Sequence, residues 1–219
     1  MTMSKHLCPP SRREARRRDR REAIVEVAAR SFLENGYAAT TMSGIAATLG
    51  GPKGTLWNYF PSKEELFRAV LEGRTAKYRE ALAEMLDSGA ELETTLCRFG
   101  SNFLEKVTTP EAVALHRLVV SEANRFPEMG AIFYELGPLR TRTLVAQFLK
   151  GAMDRGQLRP ANPTTAARML MSLLLSNFQQ LLVLGQMEHA TAELMHSEVA
   201  EAIGCFLRAY APDQDKADR

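Results

Sequence analysis

Cysteine is scarce in this chain of 219 residues, and its three copies, Cys8, Cys97 and Cys205, lie far apart. No CxxC pair or Cys/His cluster accompanies them, so neither a zinc site nor a disulfide framework is indicated, and reduced thiols in a cytoplasmic protein are expected. The histidines His6, His116, His189 and His196 are equally scattered. With no glycine-rich phosphate loop, metal-ligand cluster or nucleophile motif, the sequence offers no catalytic residues, no metal site and no cofactor site. His116 and Glu122 are the nearest thing to an acid–base pair, and nothing in the sequence positions them; an enzyme is not expected. Long apolar runs are missing too. The most apolar stretch, Met169 to Gly185, carries Ser172, Ser176, Asn177, Gln179 and Gln180. A membrane helix needs about 20 apolar residues, so no membrane partner is expected. The N-terminus lacks the apolar core of a secretory signal. Alternating period-two runs are absent as well, which argues against sheet.

What is present is a skewed charge distribution. Net charge is only +2, but Arg12, Arg13, Arg16, Arg17, Arg18, Arg20 and Arg21 crowd the first 21 residues, opposed by Glu14 and Asp19 alone. Such a run is either a solvated tail or a phosphate-seeking arm. Residues 1–21 are expected to form a basic flexible arm, and if it seeks phosphates Arg17 and Arg18 are the candidates to reach them.

The rest reads as helix. Ile24, Val27, Ala28, Ser31 and Phe32 follow the spacing of one buried helical stripe, and Gly36 is placed to stop that helix. Thr41 is an N-cap candidate for a short helix through Met42, Ile45, Ala46 and Leu49. Gly50-Gly51-Pro52 breaks the chain, and Lys53 to Tyr59 has room for two turns. Ser62-Lys63-Glu64-Glu65 is a capping box that opens a long helix reaching about Leu86. Breakers then divide helices near 91–107, 110–125, 128–155 (bent or broken at Gly137-Pro138), 164–185 and 190–210. The expected architecture is all-α: a three-helix helix-turn-helix head at 22–68, joined by a long helix to a larger helical bundle at 69–219. Two short helices around a glycine turn can set the second into the major groove, where base edges are distinguishable.

The segment Thr40-Thr41-Met42-Ser43-Gly44-Ile45-Ala46, followed by Gly50 through Phe67, resembles the tetracycline-repressor (TetR) family. Ala28-Ala29, Phe32, Glu34, Gly36 and Tyr37 match that family's first helix. The resemblance implies that Lys53, Gly54, Thr55, Trp57, Asn58 and Tyr59 form the recognition helix. Thr40, Thr41 and Lys63 would contact DNA beside it, Thr41 and Lys63 at phosphates near helix starts. Leu56, Phe60, Ile45, Ala46 and Phe32 read as head core. Three positions depart from the family. Gly51-Pro52 stands where Val-Ser is usual, Trp57 replaces a tyrosine, and Gly44 sits where an acidic residue often completes a capping box with Thr41.

By the same resemblance the remaining two-thirds is a regulatory unit that binds a small hydrophobic effector and forms a homodimer through its last helices. The stretch Leu118 to Glu128, continuing through Phe133 to Pro138, resembles the regulatory unit of efflux-type members. Candidate effector contacts are Phe99, Phe103, His116, Val120, Glu122, Phe133, Met171 and Phe178; apolar residues at helical spacing are more often plain core, and His116 and Glu122 are the polar residues to test first. Residues 166–184 are apolar almost all round and Val199, Ile203, Phe206, Leu207 and Tyr210 make a stripe. The expected dimer contacts are Leu174, Leu181, Val199, Ile203, Phe206 and Tyr210; the alternative is burial of these stripes within one subunit. A dimer presents two recognition helices, which calls for a roughly palindromic double-stranded operator. The expected function is a repressor released by its effector, with control by a protein partner, or activation, as alternatives.

Overall fold

The computed structural model describes residues 11–50, 54–87 and 89–212, and these contain helices and no strand. In chain order the elements are α1 (Arg12–Ala39), α2 (Met42–Thr48), α3 (Gly54–Trp57), α4 (Lys63–Leu86), α5 (Leu92–Val107) and α6 (Pro110–Glu122). They continue with α7 (Pro127–Tyr134), a π-helical turn (Glu135–Leu139), α8 (Arg140–Asp154), α9 (Pro163–Leu174), α10 (Phe178–Val183) and α11 (Ala192–Tyr210). The described residues fall into two compact units, one ending at Val70 and the other starting at Leu71. Helix α4 begins in the first and continues into the second.

The first unit closes around three aromatic rings. Phe32 and Tyr37 stack at 5.5 Å between centroids, and Phe67 meets both edge-on at 5.3 and 5.4 Å. Ile24, Ala28, Ile45, Ala46, Leu56 and Phe60 complete a buried core, as the apolar spacing predicts. Each large side chain so removed from water contributes about 1.5–3 kcal/mol. Gly36 has φ of 81°, a left-handed conformation that a side chain would strain, and it ends the straight run of α1 where the sequence places a stop.

The start of α1 differs from expectation. The segment from Arg12 is helix, not flexible arm; residues 1–10 lie outside the described residues. The cause is local. Ser11 Oγ accepts from the Glu14 backbone N–H at 3.3 Å while the Glu14 carboxylate accepts from the Ser11 N–H at 2.8 Å. This reciprocal cap satisfies donors that would otherwise fray.

In the second unit, Leu96, Phe99 and Phe103 of α5 pack with Leu170 and Leu174 of α9 and with Val199, Ile203 and Phe206 of α11. Gly100 lets the helices approach closely there: a Cβ would lie 3.0 Å from a Val199 methyl and 3.1 Å from a Leu174 methyl. The single helix expected over 164–185 is two, α9 and α10. Glu198 of α11, buried, accepts hydrogen bonds from Ser176 Oγ at 3.2 Å and Asn177 Nδ2 at 3.0 Å. A buried carboxylate needs such donors, and drawing these side chains to it opens the helix between α9 and α10.

The expected dimer contacts are corrected by the same packing. Leu174, Val199, Ile203, Phe206 and Tyr210 are buried within one subunit's own core, and of the six only Leu181 is exposed. Side chains turned inward to meet α5 cannot also meet a partner.

Candidate nucleic-acid interface

Helix α2 starts at Thr41, whose hydroxyl accepts from the Gly44 backbone N–H at 3.0 Å, as its N-cap role predicts. Helix α3 is one turn from Gly54 to Trp57, shorter than the two turns expected, and the Tyr59 and Phe60 amides then donate to the Leu56 carbonyl at 3.0 and 2.9 Å. Leu56 and Phe60 are the anchors: both are buried and turn one side of this segment into the unit. Opposite them, Gly54 and Asn58 are exposed, Thr55 and Tyr59 are half-buried, and Trp57 keeps 40% of its surface in solvent. A Cβ on Gly54 would meet nothing within 4 Å, so packing of the unit does not demand glycine there. Lys53, with Gly51 and Pro52, lies outside the described residues.

The flanking residues divide. Arg17 lies 6.0 Å over the Tyr59 ring and Arg21 5.0 Å over the Phe60 ring, both within cation–π range. Arg18 leaves that side and pairs with Glu22 at 3.9 Å. Thr40 is corrected: it is buried, and its hydroxyl donates to the carbonyls of Ser31 at 2.9 Å and Gly36 at 2.7 Å, closing α1. Lys63 donates to the Tyr37 carbonyl at 2.9 Å and lies 4.1 Å over the Tyr37 ring, clasping α4 to the end of α1. Beside it, Glu64 accepts from the Tyr37 hydroxyl at 3.3 Å. Its own backbone N–H, then the Ser62 hydroxyl, hold the Glu64 carboxyl below its ordinary pKa, with Tyr37 and Lys63 adding to the effect.

In the second unit the eight candidate effector contacts divide. Phe99, Phe103, Met171 and Phe178 are buried core. His116 is half-buried, its Nδ1 3.4 Å from Gln179 Nε2 and its ring 6.1 Å from that of Phe133; burial lowers its pKa. Glu122 is half-buried, and Val120 is 62% exposed. An open groove of about 950 Å³ lies elsewhere, between Ala83, Leu86 and Ala90 on one side and Leu144, Phe148 and Gly151 of α8 on the other, with Glu84, Asp87 and Arg155 at its edges. The same two helices carry buried donors with no hydrogen-bond partner among the described residues: the Tyr78 hydroxyl and Arg79 Nη1 on α4, and Arg142 Nε on α8. Burial raises the Tyr78 pKa, which keeps the hydroxyl a neutral donor.

Residues 24–70 match the family model described as bacterial regulatory proteins, tetR family, and residues 94–212 match that of the AefR-like transcriptional repressor, C-terminal domain. The chain belongs to the TetR family. Among solved structures, the flavonoid-responsive regulator FrrA superposes with a TM-score of 0.75 at 33% identity, covering 89% of this chain and 98% of FrrA. A TetR-family transcriptional regulator from Pseudomonas syringae pv. tomato gives 0.71 at 27% identity, covering 87% of this chain and 96% of that one. The HTH-type transcriptional repressor KstR2 of Rhodococcus jostii is 39% identical over 89 residues, 39% of this chain. That match spans 44% of KstR2, less than half its length. This TetR-family chain is a DNA-binding transcriptional regulator, and regulators of the family bind DNA and dimerise. No helix among the described residues is long and apolar enough to cross a membrane.

For this TetR-family head, then, the structure sets Arg17 beside Tyr59, leaves Trp57 and Asn58 exposed and Thr55 half-buried, and buries Thr40. Arg21, a residue that the motif alone does not single out, belongs with Arg17. Its i, i+4 spacing from Arg17 is the signal in the sequence that points to it.

Proposed function

We propose that this TetR-family regulator is a cytoplasmic dimeric repressor, not an enzyme, that binds a palindromic operator and is released by a small hydrophobic effector. The observation that carries the reading is the two-sidedness of the segment from α3 to Phe60, with Leu56 and Phe60 buried, Trp57 and Asn58 exposed and Thr55 and Tyr59 half-buried. A helix about 10–12 Å across fits the major groove if one side is braced and the other presents donors to base edges. The Trp57 indole N–H, the Asn58 amide and the Thr55 hydroxyl supply such donors. Thr41 and Lys63 would face phosphates at the starts of α2 and α4.

Dimerisation is assigned to the outward apolar residues Met169 of α9, Leu181 of α10 and Leu184 at the end of α10, all exposed in one subunit. Effector control is supported by FrrA, whose name gives it as flavonoid-responsive. It is also supported by the α4–α8 groove, whose volume suits a drug-sized compound. Occupancy biases α4, which continues from the DNA-binding unit into the groove wall. Release then extends only as far as the effector prefers the conformation that does not bind DNA.

The test is selection of genomic duplex fragments by the purified protein. The expected outcome is an inverted repeat whose neighbouring genes suggest the effector; recovery of no enriched sequence would overturn the reading.

A further inference from the structure

The arginine-rich segment is a helix with its charges sorted by face. At 3.6 residues per turn, Arg12, Arg16 and Arg20 form one i, i+4 row and Arg13, Arg17 and Arg21 form the adjacent row. The two rows fill about half of the circumference; Glu14, Asp19 and Glu22 occupy the other half, where Arg18 pairs with Glu22. Among the described residues no carboxylate lies within ion-pair distance of the six row arginines. Like charges spaced i, i+4 repel, yet the helix is fixed at its first residue by the Ser11–Glu14 box. The second row is also fixed in direction, because Arg17 and Arg21 lie over Tyr59 and Phe60, the residues that follow α3. The basic half-helix is therefore continuous with the candidate DNA interface.

We propose that this half-helix is a preformed clamp for the phosphate backbone of duplex DNA flanking the half-site read by α3. The inference rests on the DNA-binding reading above and adds a second, sequence-independent contact to it. From Arg12 to Arg21 the rows extend about 13 Å, close to four phosphate spacings of one strand at about 3.4 Å of axis each. Because the helix is formed before DNA arrives, docking incurs little ordering cost. The recognition helix then sets sequence preference, and the arginines set affinity and salt dependence.

The experiment compares the full-length protein with the triple variants Arg12→Gln/Arg13→Gln/Arg16→Gln and Arg12→Lys/Arg13→Lys/Arg16→Lys. All three positions are exposed, and far-UV circular dichroism checks that both variants fold. Binding is measured by anisotropy from 50 to 300 mM salt on the selected operator duplex, with and without ten flanking base pairs, and on a scrambled duplex. Each phosphate that is no longer neutralised lowers the slope of log affinity against log salt by about 0.9. The glutamine variant should lose about two to three units of slope per protomer, become indifferent to the flanks, and keep the operator-to-scrambled ratio. The lysine variant should keep the wild-type slope. An unchanged slope in the glutamine variant, while wild type binds the operator, overturns the clamp. So does arginine-dependent sedimentation with phosphatidylglycerol vesicles when the DNA slope does not move. If wild type binds no duplex at all, the DNA-binding reading itself fails, a distinct result.

Discussion

Thr40 and Thr41 are adjacent, identical in type and opposite in fate. Thr41 is exposed and caps α2, whereas Thr40 is 4% exposed and donates its hydroxyl back into α1. Thr40→Val should cost about 1–2 kcal/mol of stability by denaturant titration, because the buried hydroxyl's one proton, shared between the Ser31 and Gly36 carbonyls, is lost. Operator affinity well below the melting transition should stay within twofold. A large loss of affinity in the folded variant would restore Thr40 to the interface. His116 gives a pH prediction with a definite sign. Burial lowers its folded pKa below the ordinary 6.5, so the unfolded chain takes up the proton first. Stability therefore falls as pH drops from about 6.5 through the folded value. His116→Gln should flatten the difference in denaturant midpoint between pH 7.5 and 5.5; equal differences in both proteins would contradict the assignment. At this scale the sequence is least legible. Residue type marks Thr40, Lys63 and Val120 as polar, cationic and apolar, and says nothing of whether Thr40 spends its hydroxyl inside or whether Val120 turns to solvent.

Helix boundaries are legible wherever the signal is local: a cap at Thr41, a left-handed Gly36, prolines at the starts of α6, α7 and α9. The Ser11–Glu14 box is just as local, but the density of arginine behind it masks it, since so concentrated a charge reads as a solvated arm. The break between α9 and α10 cannot be read this way, because its cause, Glu198, lies more than 20 residues further on. Two glycines test the element packing with opposite signs. Gly100→Ala puts a methyl 3.0–3.1 Å from Val199 and Leu174 and should destabilise by about 1–3 kcal/mol. Gly54→Ala meets no neighbour within 4 Å, so chemical denaturation should find stability unchanged or raised by up to about 1 kcal/mol. Operator affinity should nevertheless fall at least tenfold, as the added methyl meets the groove. Normal binding by Gly54→Ala would place DNA elsewhere.

For the whole molecule, the all-α class follows from the spacing of apolar residues and breakers, whereas the division at Val70 falls inside α4, where no breaker marks it. The dimer contacts do not follow, since a buried stripe records that something covers it and not which chain does so. Val199, Ile203 and Phe206 face their own α5, while Leu181 and Leu184 remain outside, Leu184 with 63% of its surface exposed. Leu181→Glu/Leu184→Glu should therefore yield a folded monomer by sedimentation with much weaker operator binding; a persistent dimer would move the interface to another face.

The most direct measurement is a titration of the selected operator duplex with full-length wild type and with Trp57→Ala/Asn58→Ala. Two protomers should bind each duplex, and the double variant should lose at least 100-fold in operator affinity while retaining weak, salt-sensitive binding to any sequence. Equal operator affinity in the two proteins, or no binding by wild type at low salt, would contradict the account.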